Sequence, residues 1–187
     1  MTKNERKFMN LTLENSYINY LDEIKKLYIE AFPKAERKPM KQILKVCENG
    51  LGRIIPILLD EEFVGMFITL DSDNDDTLLI DYFAIKNDYR GLSLGSKSIE
   101  LLNKMENKTI IIEIEPCHKD AENFIQRKKR KKFYKNLGFR QTDINISWFG
   151  VDLELMSLNK TINFDHYMNL LTSIFPKSYI EENIKLA

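Results

Sequence analysis

The chain has 187 residues, of which 43% are hydrophobic and 30% are charged, a composition typical of a single globular domain and unlike that of disordered or disulfide-scaffold proteins. Lysine plus arginine and aspartate plus glutamate both number 28, so the formal net charge is zero and no overall field attracts the protein to nucleic acid or anionic lipid. The thiols Cys47 and Cys117 favour a reducing compartment, and no apolar run reaches the roughly 20 residues that span a bilayer.

From these properties we expect a cytoplasmic protein that binds neither nucleic acid nor membrane and that is a monomer or a homodimer. Residues 1–10 are charged and have no apolar segment of signal-peptide length, so no processing is expected. The whole chain, residues 1–187, is predicted to form one domain.

The first half of the chain predicts two helices and a hairpin. Apolar residues spaced three and four apart indicate a first helix that Pro33 ends, and an acidic turn at residues 60–62 joins two strand-like runs,. The predicted helices cover residues 17–32 and 40–47, and the strands cover residues 52–59 and 63–70.

The second half begins with LLIDYFAI, residues 78–85, whose nearly continuous apolar character predicts a central strand covered on both faces,. It carries one acid, Asp81. Gly138 is predicted to cap the helix that precedes it, and residues 160–187 are expected to pack on the domain as a helical extension. Further helices are predicted over residues 93–105, 122–136 and 161–175, and strands over residues 109–115, 143–149 and 151–158.

Two patterns raise the question of a metal site. Residues 71–76 read DSDNDD, but the glycine and the distant glutamate of an EF-hand loop are absent, so we interpret them as a solvated turn,. His118 and His166 are isolated, and Cys117 alone does not complete a zinc site,. No metal is expected.

A glycine-containing turn lies between the central strand and the next helix, over residues 90–96. The start of a helix offers unpaired N–H groups and the positive end of the helix dipole, and small residues let a phosphate approach the backbone. The turn matches neither the dinucleotide-binding nor the phosphate-loop glycine pattern,. Taken alone, it fits a simple tight connection between strand and helix better than an anion site.

A second motif, FYKNLGF at residues 133–139, ends the helix that follows the TIIIEIE strand. The two motifs in this order resemble the GNAT N-acetyltransferases, and the resemblance covers residues 17–158. It implies an α/β (α+β) fold with a central mixed, mostly antiparallel, splayed sheet of six to seven strands flanked by helices. The segment AFPKAERKP, residues 31–39, also resembles the acceptor side of some bacterial members.

The resemblance implies that acetyl-CoA is the co-substrate. The pyrophosphate would lie on the turn, and the pantetheine arm would pair with the central strand as an added strand does. One departure is Ser93, which stands where the family has its first glycine, and a position that requires a positive φ is less comfortable for serine. The implied cofactor-binding residues are Phe83, Ala84, Ile85, Arg90, Gly91, Leu92, Ser93, Leu94, Gly95 and Ser96.

For catalysis, the resemblance places Tyr134 near the CoA sulfur, where a phenol can protonate the departing thiolate. Glu113 is the first candidate for the base that deprotonates the acceptor amine, and Asp81 is the second. Glu113 and Glu115 are predicted to share a strand face. Each of these side chains could instead have an ordinary role in packing or ion pairing.

The six consecutive basic residues RKKRKK, 127–132, are of a kind that binds nucleic acid or the 3′-phosphate of CoA. Because consecutive helical residues spread around the axis, we interpret them as a solvated helix. Arg127 stands where many family members have asparagine, and Arg130 matches a subset of the family. The expected function is N-acetylation of a small-molecule primary amine, and the alternatives are an acyl-CoA sensor or, less favoured, a nucleic-acid binder.

Overall fold

The computed structural model describes residues 10–71 and 76–187. Within these residues the chain forms one sheet of eight strands in the order β1-β2-β3-β4-β5-β7-β6-β8, flanked by six α-helices. The strands are β1 Leu11–Leu13, β2 Gly52–Leu59, β3 Glu62–Asp71, β4 Thr77–Ile85, β5 Thr109–Ile114, β6 Arg140–Trp148, β7 Val151–Leu158 and β8 Ile184–Leu186. The helices are α1 Leu21–Ala31, α2 Met40–Glu48, α3 Leu94–Glu106, α4 Phe124–Asn136, α5 Phe164–Ile174 and α6 Lys177–Asn183.

The predicted mixed, mostly antiparallel sheet is confirmed, with a difference at its edges. The structure adds the three-residue strands β1 and β8 and the seven-residue helix α6, all too short to produce a periodic pattern. The predicted cap is also confirmed, because Gly138 has φ +90° and directly follows Leu137, the C-cap residue of α4. The solvated turn predicted over residues 71–76 falls mainly on residues 72–75, which lie outside the described residues.

The sheet opens between β4 and β5, its one parallel pair among the described strands. The two strands pair only from Thr77↔Thr109 to Ile80↔Ile112. Beyond that point β4 runs on to Ile85, whereas β5 stays with β7. A parallel pair that ends early leaves one edge of each strand without a partner, so the sheet has a V-shaped opening, which we call the split.

A bulge marks the start of the split. On the other side of β4, the register with β3 passes from Thr69↔Ile80 directly to Ile68↔Tyr82, so Asp81 has no partner residue. An extra residue bends its strand and redirects its side chain. The bulge therefore brings the Asp81 side chain to the apex of the split.

Three apolar clusters cover the two faces of the sheet. The α3–α4 core, which includes Leu94, Ile99 and Tyr134, is continuous under β2, β3, β4, β5 and β7. The opposite face carries two clusters, the α1–α2 core around Ile24 and the α5–α6 core around Tyr167. None of the described helices is long and apolar enough to cross a bilayer.

Candidate active site

The turn at residues 90–96 has the geometry of an anion cradle. Gly91 has φ +81° and Ser93 has φ +61°, and α3 begins at the next residue. Within the described part of the chain, no group accepts a hydrogen bond from the backbone N–H groups of residues 91–96. These donors and the positive end of the α3 dipole are therefore available to an anionic ligand.

Ser93 stands where the family has its first glycine, and its backbone is left-handed. Its φ and ψ are +61° and +16°, and its hydroxyl makes no capping hydrogen bond. A residue with a Cβ pays about 1 kcal/mol or more for this conformation, which glycine adopts freely. The turn keeps its shape despite that strain.

The two sequence motifs meet in space at Gly95. A methyl group on Gly95 would lie 3.5 Å from Cζ of Phe133 and 3.6 Å from Cζ of Phe83. The first turn of α3 therefore packs against both α4 and β4. This contact explains why the turn and the FYKNLGF motif occur together in one chain.

The edge of β4 facing the split offers backbone groups. The N–H of Lys86 donates to the carbonyl of Val64 in β3, at 2.8 Å, and backbone direction alternates along a strand. Ala84 thus also faces β3, whereas Phe83 and Ile85 face the split. Nε of Arg90 donates to the carbonyl of Ile85 at 3.2 Å, so this side chain folds back over the end of the strand.

Tyr134 belongs to the α3–α4 face of the sheet. Its ring is 9% exposed and packs edge-on against Phe133 and Phe139, with centroids 5.1 and 5.3 Å away. No described residue forms a hydrogen bond with its hydroxyl. Burial raises the Tyr134 pKa to about 12, and the charge of Arg130 opposes the rise. The phenol is therefore protonated at neutral pH and available as a donor.

Glu113 lies on the opposite face, toward α5. Its Oε1 accepts a hydrogen bond of 2.6 Å from the hydroxyl of Tyr167. Burial raises the Glu113 pKa to about 7; the Tyr167 hydrogen bond and the Lys38 charge oppose this rise, whereas the charge of Asp81 adds to it. A carboxyl group with this pKa exchanges protons readily at neutral pH.

Asp81 is paired with Lys38, from the segment between α1 and α2. Nζ of Lys38 lies 2.8 Å from each carboxylate oxygen of Asp81. The same Nζ lies 5.9, 5.7 and 5.9 Å from the ring centroids of Tyr82, Trp148 and Phe175. An ammonium group therefore sits beside the apex of the split, between a carboxylate and three aromatic rings.

Two tyrosines fix the backbone that carries this ammonium group. The N–H of Lys38 donates to the Tyr82 hydroxyl and its carbonyl accepts from the Tyr28 hydroxyl, each at 3.1 Å. The Tyr82 hydroxyl in turn donates to the carbonyl of Glu36 at 2.8 Å. Lys38 is thus held in place at both its backbone and its side chain.

Sequence reasoning did not find the residues around Asp81 and Glu113. Lys38 falls within the segment that resembles an acceptor region, but no spacing rule pairs it with Asp81. Tyr167 and Phe175 looked like ordinary helix packing. The group comes from four separate parts of the chain, so only the fold brings it together: Lys38, Tyr82, Trp148, Tyr167 and Phe175.

The basic run on α4 has mixed partners. Arg127 and Arg130 contact the two oxygens of Glu115, at 2.6 and 3.2 Å, and Lys131 contacts Glu154 at 2.6 Å. The prediction that Glu113 and Glu115 share a face is wrong, because β5 ends at Ile114 and Glu115 turns toward α4. Two residues of the run therefore anchor the β5–α4 connection, and a third ties α4 to β7.

The remaining lysines of α4 contribute to an open groove. It is lined by Phe124, Lys128, Lys132 and Lys135 together with Lys119 and the free thiol Cys117. Among the described residues, no group of three or more histidine, cysteine or acidic side chains could hold a metal ion.

Comparisons with known proteins agree on one family. Residues 21–139 match the model of the acetyltransferase (GNAT) family. YjbC of Bacillus subtilis (strain 168), whose own assignment as an acetyltransferase is provisional, is 34% identical over 73 residues, which are 39% of this chain and 36% of YjbC. The match thus spans about a third of that relative.

Solved structures share the fold. A GNAT-family protein from Bacteroides thetaiotaomicron superposes with a TM-score of 0.71 at 18% identity, covering 88% of this chain and 94% of the other. An aminoglycoside 6′-N-acetyltransferase complexed with coenzyme A gives a TM-score of 0.62 at 12% identity, covering 80% and 96%. At these identities the likeness concerns the fold.

Proposed function

The chain belongs to the GNAT acetyltransferase family, and on that premise we propose that it transfers an acetyl group from acetyl-CoA to the primary amine of a small molecule. The observation that carries the proposal is the split, which is followed along the chain by a turn with free backbone N–H groups and which has Tyr134 and Glu113 on opposite faces of its sheet. A donor can enter from one face and an acceptor from the other. The reacting atoms then meet at the apex.

The donor side follows from the free backbone groups. The CoA pyrophosphate binds the N–H groups of residues 91–96 at the start of α3. The pantetheine arm pairs with the backbones of Phe83 and Ile85 as an added strand. This arm leads the thioester along the open edge of β4 toward Asp81.

The acceptor side combines carboxylates with aromatic rings, which supports a small cationic amine over a protein chain. Asp81 and Glu113 supply the carboxylates, and Trp148 and Phe175 supply rings that already lie within 6 Å of the Lys38 ammonium group. The CoA-bound relative with a similar fold is named for an aminoglycoside, a small polyamine. That name concerns the relative, and at 12% identity its likeness to this chain is one of fold.

Glu113 and Asp81 take different roles in the proposed mechanism. Both oxygens of Asp81 are held by Lys38, whereas Glu113 keeps one oxygen without a described partner and has a pKa of about 7. Glu113 therefore acts as the base for the acceptor ammonium, and Asp81 acts as its electrostatic neighbour. The amine attacks the thioester, and Tyr134 protonates the sulfur as the tetrahedral intermediate collapses.

The test is an acceptor screen that measures release of free CoA. With an accepted amine, Tyr134→Phe should lower turnover about 100-fold, the typical contribution of a general acid, and leave thermal stabilisation by acetyl-CoA nearly unchanged. Tyr179→Phe, which removes a hydroxyl from an exposed side chain on α6, is the matched control. Stabilisation by acetyl-CoA without CoA release from any amine would favour an acyl-CoA sensor instead.

A further inference from the structure

A primary amine of the protein already occupies the acceptor side of the split. Nζ of Lys38 lies 2.8 Å from both oxygens of Asp81, and Asp81 is the residue that follows the last β4–β5 pair, Ile80↔Ile112. The amine is therefore placed where the parallel strands separate. In the proposed function, the thioester of a donor bound along β4 reaches the same point.

The surroundings of this amine are those of a built ammonium site. Three aromatic rings lie within 6 Å of Nζ, a distance at which ring faces attract cations. The charge of Glu113 acts on it in addition to that of Asp81, and Tyr28 and Tyr82 hold its backbone. The side chain is still 29% exposed, so it is not fully buried.

We propose that Lys38 is itself an acceptor, so that the protein acetylates its own Lys38 from acetyl-CoA. This inference rests on the proposed acetyltransferase function and adds to it a specific modification site. It assigns Lys38 a chemical role that a simple counter-ion of Asp81 does not have.

The transfer balances with groups already present. The Lys38 ammonium gives one proton to Asp81 or Glu113, and the lone pair of the neutral nitrogen attacks the thioester carbonyl carbon to form the C–N bond. The C–S bond then breaks with its electron pair on sulfur, which takes a proton from Tyr134. The nitrogen loses its second proton to Glu113. One of the two protons lost by nitrogen restores Tyr134, and the other leaves to solvent, which gives acetyl-lysine, free CoA and one proton.

Uncatalysed acetylation should not mimic this reaction. Burial lowers the pKa of Lys38, but the charge and hydrogen bonding of Asp81 together with the charges of Glu113 and Tyr28 raise it by more, so the net shift is upward. The neutral, nucleophilic form is then rarer at Lys38 than at a lysine with an ordinary pKa. Chemical background therefore favours exposed lysines, of which Lys34 is one, and preference for Lys38 indicates catalysis in the split.

The experiment incubates the full chain with acetyl-CoA and no added amine, and maps acetylated peptides by mass spectrometry over time. We expect Lys38 to gain one acetyl group ahead of Lys34, at a first-order rate that does not change when the protein is diluted. Lys38→Arg should remove this product, and Lys34→Arg should keep it. Tyr134→Phe should slow it about 100-fold.

Two outcomes would overturn the inference. One is thermal stabilisation by acetyl-CoA with Lys38 unmodified, whether or not an added amine is acetylated. The other is equal acetylation of Lys38 in the wild-type protein and in Tyr134→Phe. Turnover of an added amine with Lys38 unmodified removes only this inference, whereas absence of acetyl-CoA binding removes the proposed function as well.

Discussion

Glu113 is the residue whose protonation should set the pH dependence of turnover. With a pKa of about 7 in the folded protein, it is protonated and inactive as a base at lower pH and ionised at higher pH. We therefore expect kcat/KM to rise as the pH passes through about 7 and then to level off. Glu113→Gln should lower kcat/KM and remove this rise. Initial rates of CoA release across this pH range test it, and an unchanged profile in the variant would exclude Glu113 as the base.

The same pKa has an opposite effect on stability. A carboxyl group whose pKa rises from 4.5 to about 7 on folding contributes stability that is fully present below pH 4.5 and is lost as the pH increases to about 7. The full shift corresponds to roughly 3 kcal/mol. Glu113→Gln should thus unfold at higher urea concentration than the wild type above pH 7, and the difference should shrink in acid. Equal urea midpoints at every pH would contradict the shift.

Ser93 offers a separate test of backbone strain. Because its φ is +61°, Ser93→Gly should raise the free energy of unfolding by about 1 kcal/mol. The neighbouring Ser96 lies inside the first turn of α3, where glycine is unfavourable, so Ser96→Gly should lower the free energy of unfolding by a few tenths to about 1 kcal/mol. Urea unfolding of both variants measures the contrast, and a loss of stability in Ser93→Gly would show that the serine hydroxyl matters more than the strain.

At the scale of residues, the sequence predicted the candidate site residues that belong to recognisable motifs. Tyr134 and Ser93 were identified because each occupies a fixed place in a short pattern. Lys38 and Tyr167 were not, since they touch Asp81 and Glu113 from 43 and 54 positions away. Contacts over such separations depend on the sheet register, which a single sequence does not state.

At the scale of elements, Gly65 allows β3 and β4 to approach each other closely because it has no side chain. A methyl group there would lie 2.6 Å from the Ala84 carbonyl oxygen and 2.7 Å from Cδ1 of Ile85, too close without a shift of β4. Gly65→Ala should therefore destabilise the fold by about 1–3 kcal/mol and weaken acetyl-CoA binding at the displaced strand end. Gly95→Ala, whose methyl group would make ordinary contacts, is the control for stability. Equal thermal stability of the two variants would contradict this role for Gly65.

Element type was predictable where the pattern was long and regular. Strand β7 agrees with its predicted bounds, residues 151–158, and the bounds of α3 and α4 differ from those predicted by only a few residues. The bulge at Asp81 was not predicted, because an extra residue leaves no mark in an apolar run such as LLIDYFAI. The bulge and the short β4–β5 pairing form the apex, so this geometry had to come from the structure.

At the scale of the whole molecule, the C-terminal helices reach the site through Tyr167 of α5. Its hydroxyl favours the ionised form of Glu113 and so opposes the rise in the Glu113 pKa. Tyr167→Phe should shift the rise of kcat/KM with pH to higher pH, with Tyr179→Phe as the control. The same CoA-release assay measures this, and an unmoved profile would mean that the hydrogen bond does not tune the base.

The three apolar clusters are arranged differently on the two faces of the sheet. The α3–α4 core runs unbroken beneath the strands on both sides of the split, whereas the opposite face is shared by two clusters with helices from different parts of the chain. Substitutions on the divided face can therefore reshape the acceptor side without disturbing the layer that supports the donor side. Such a protein is well suited to laboratory evolution, because new acceptors can be selected by varying residues near Trp148 and Phe175 while one donor site is retained.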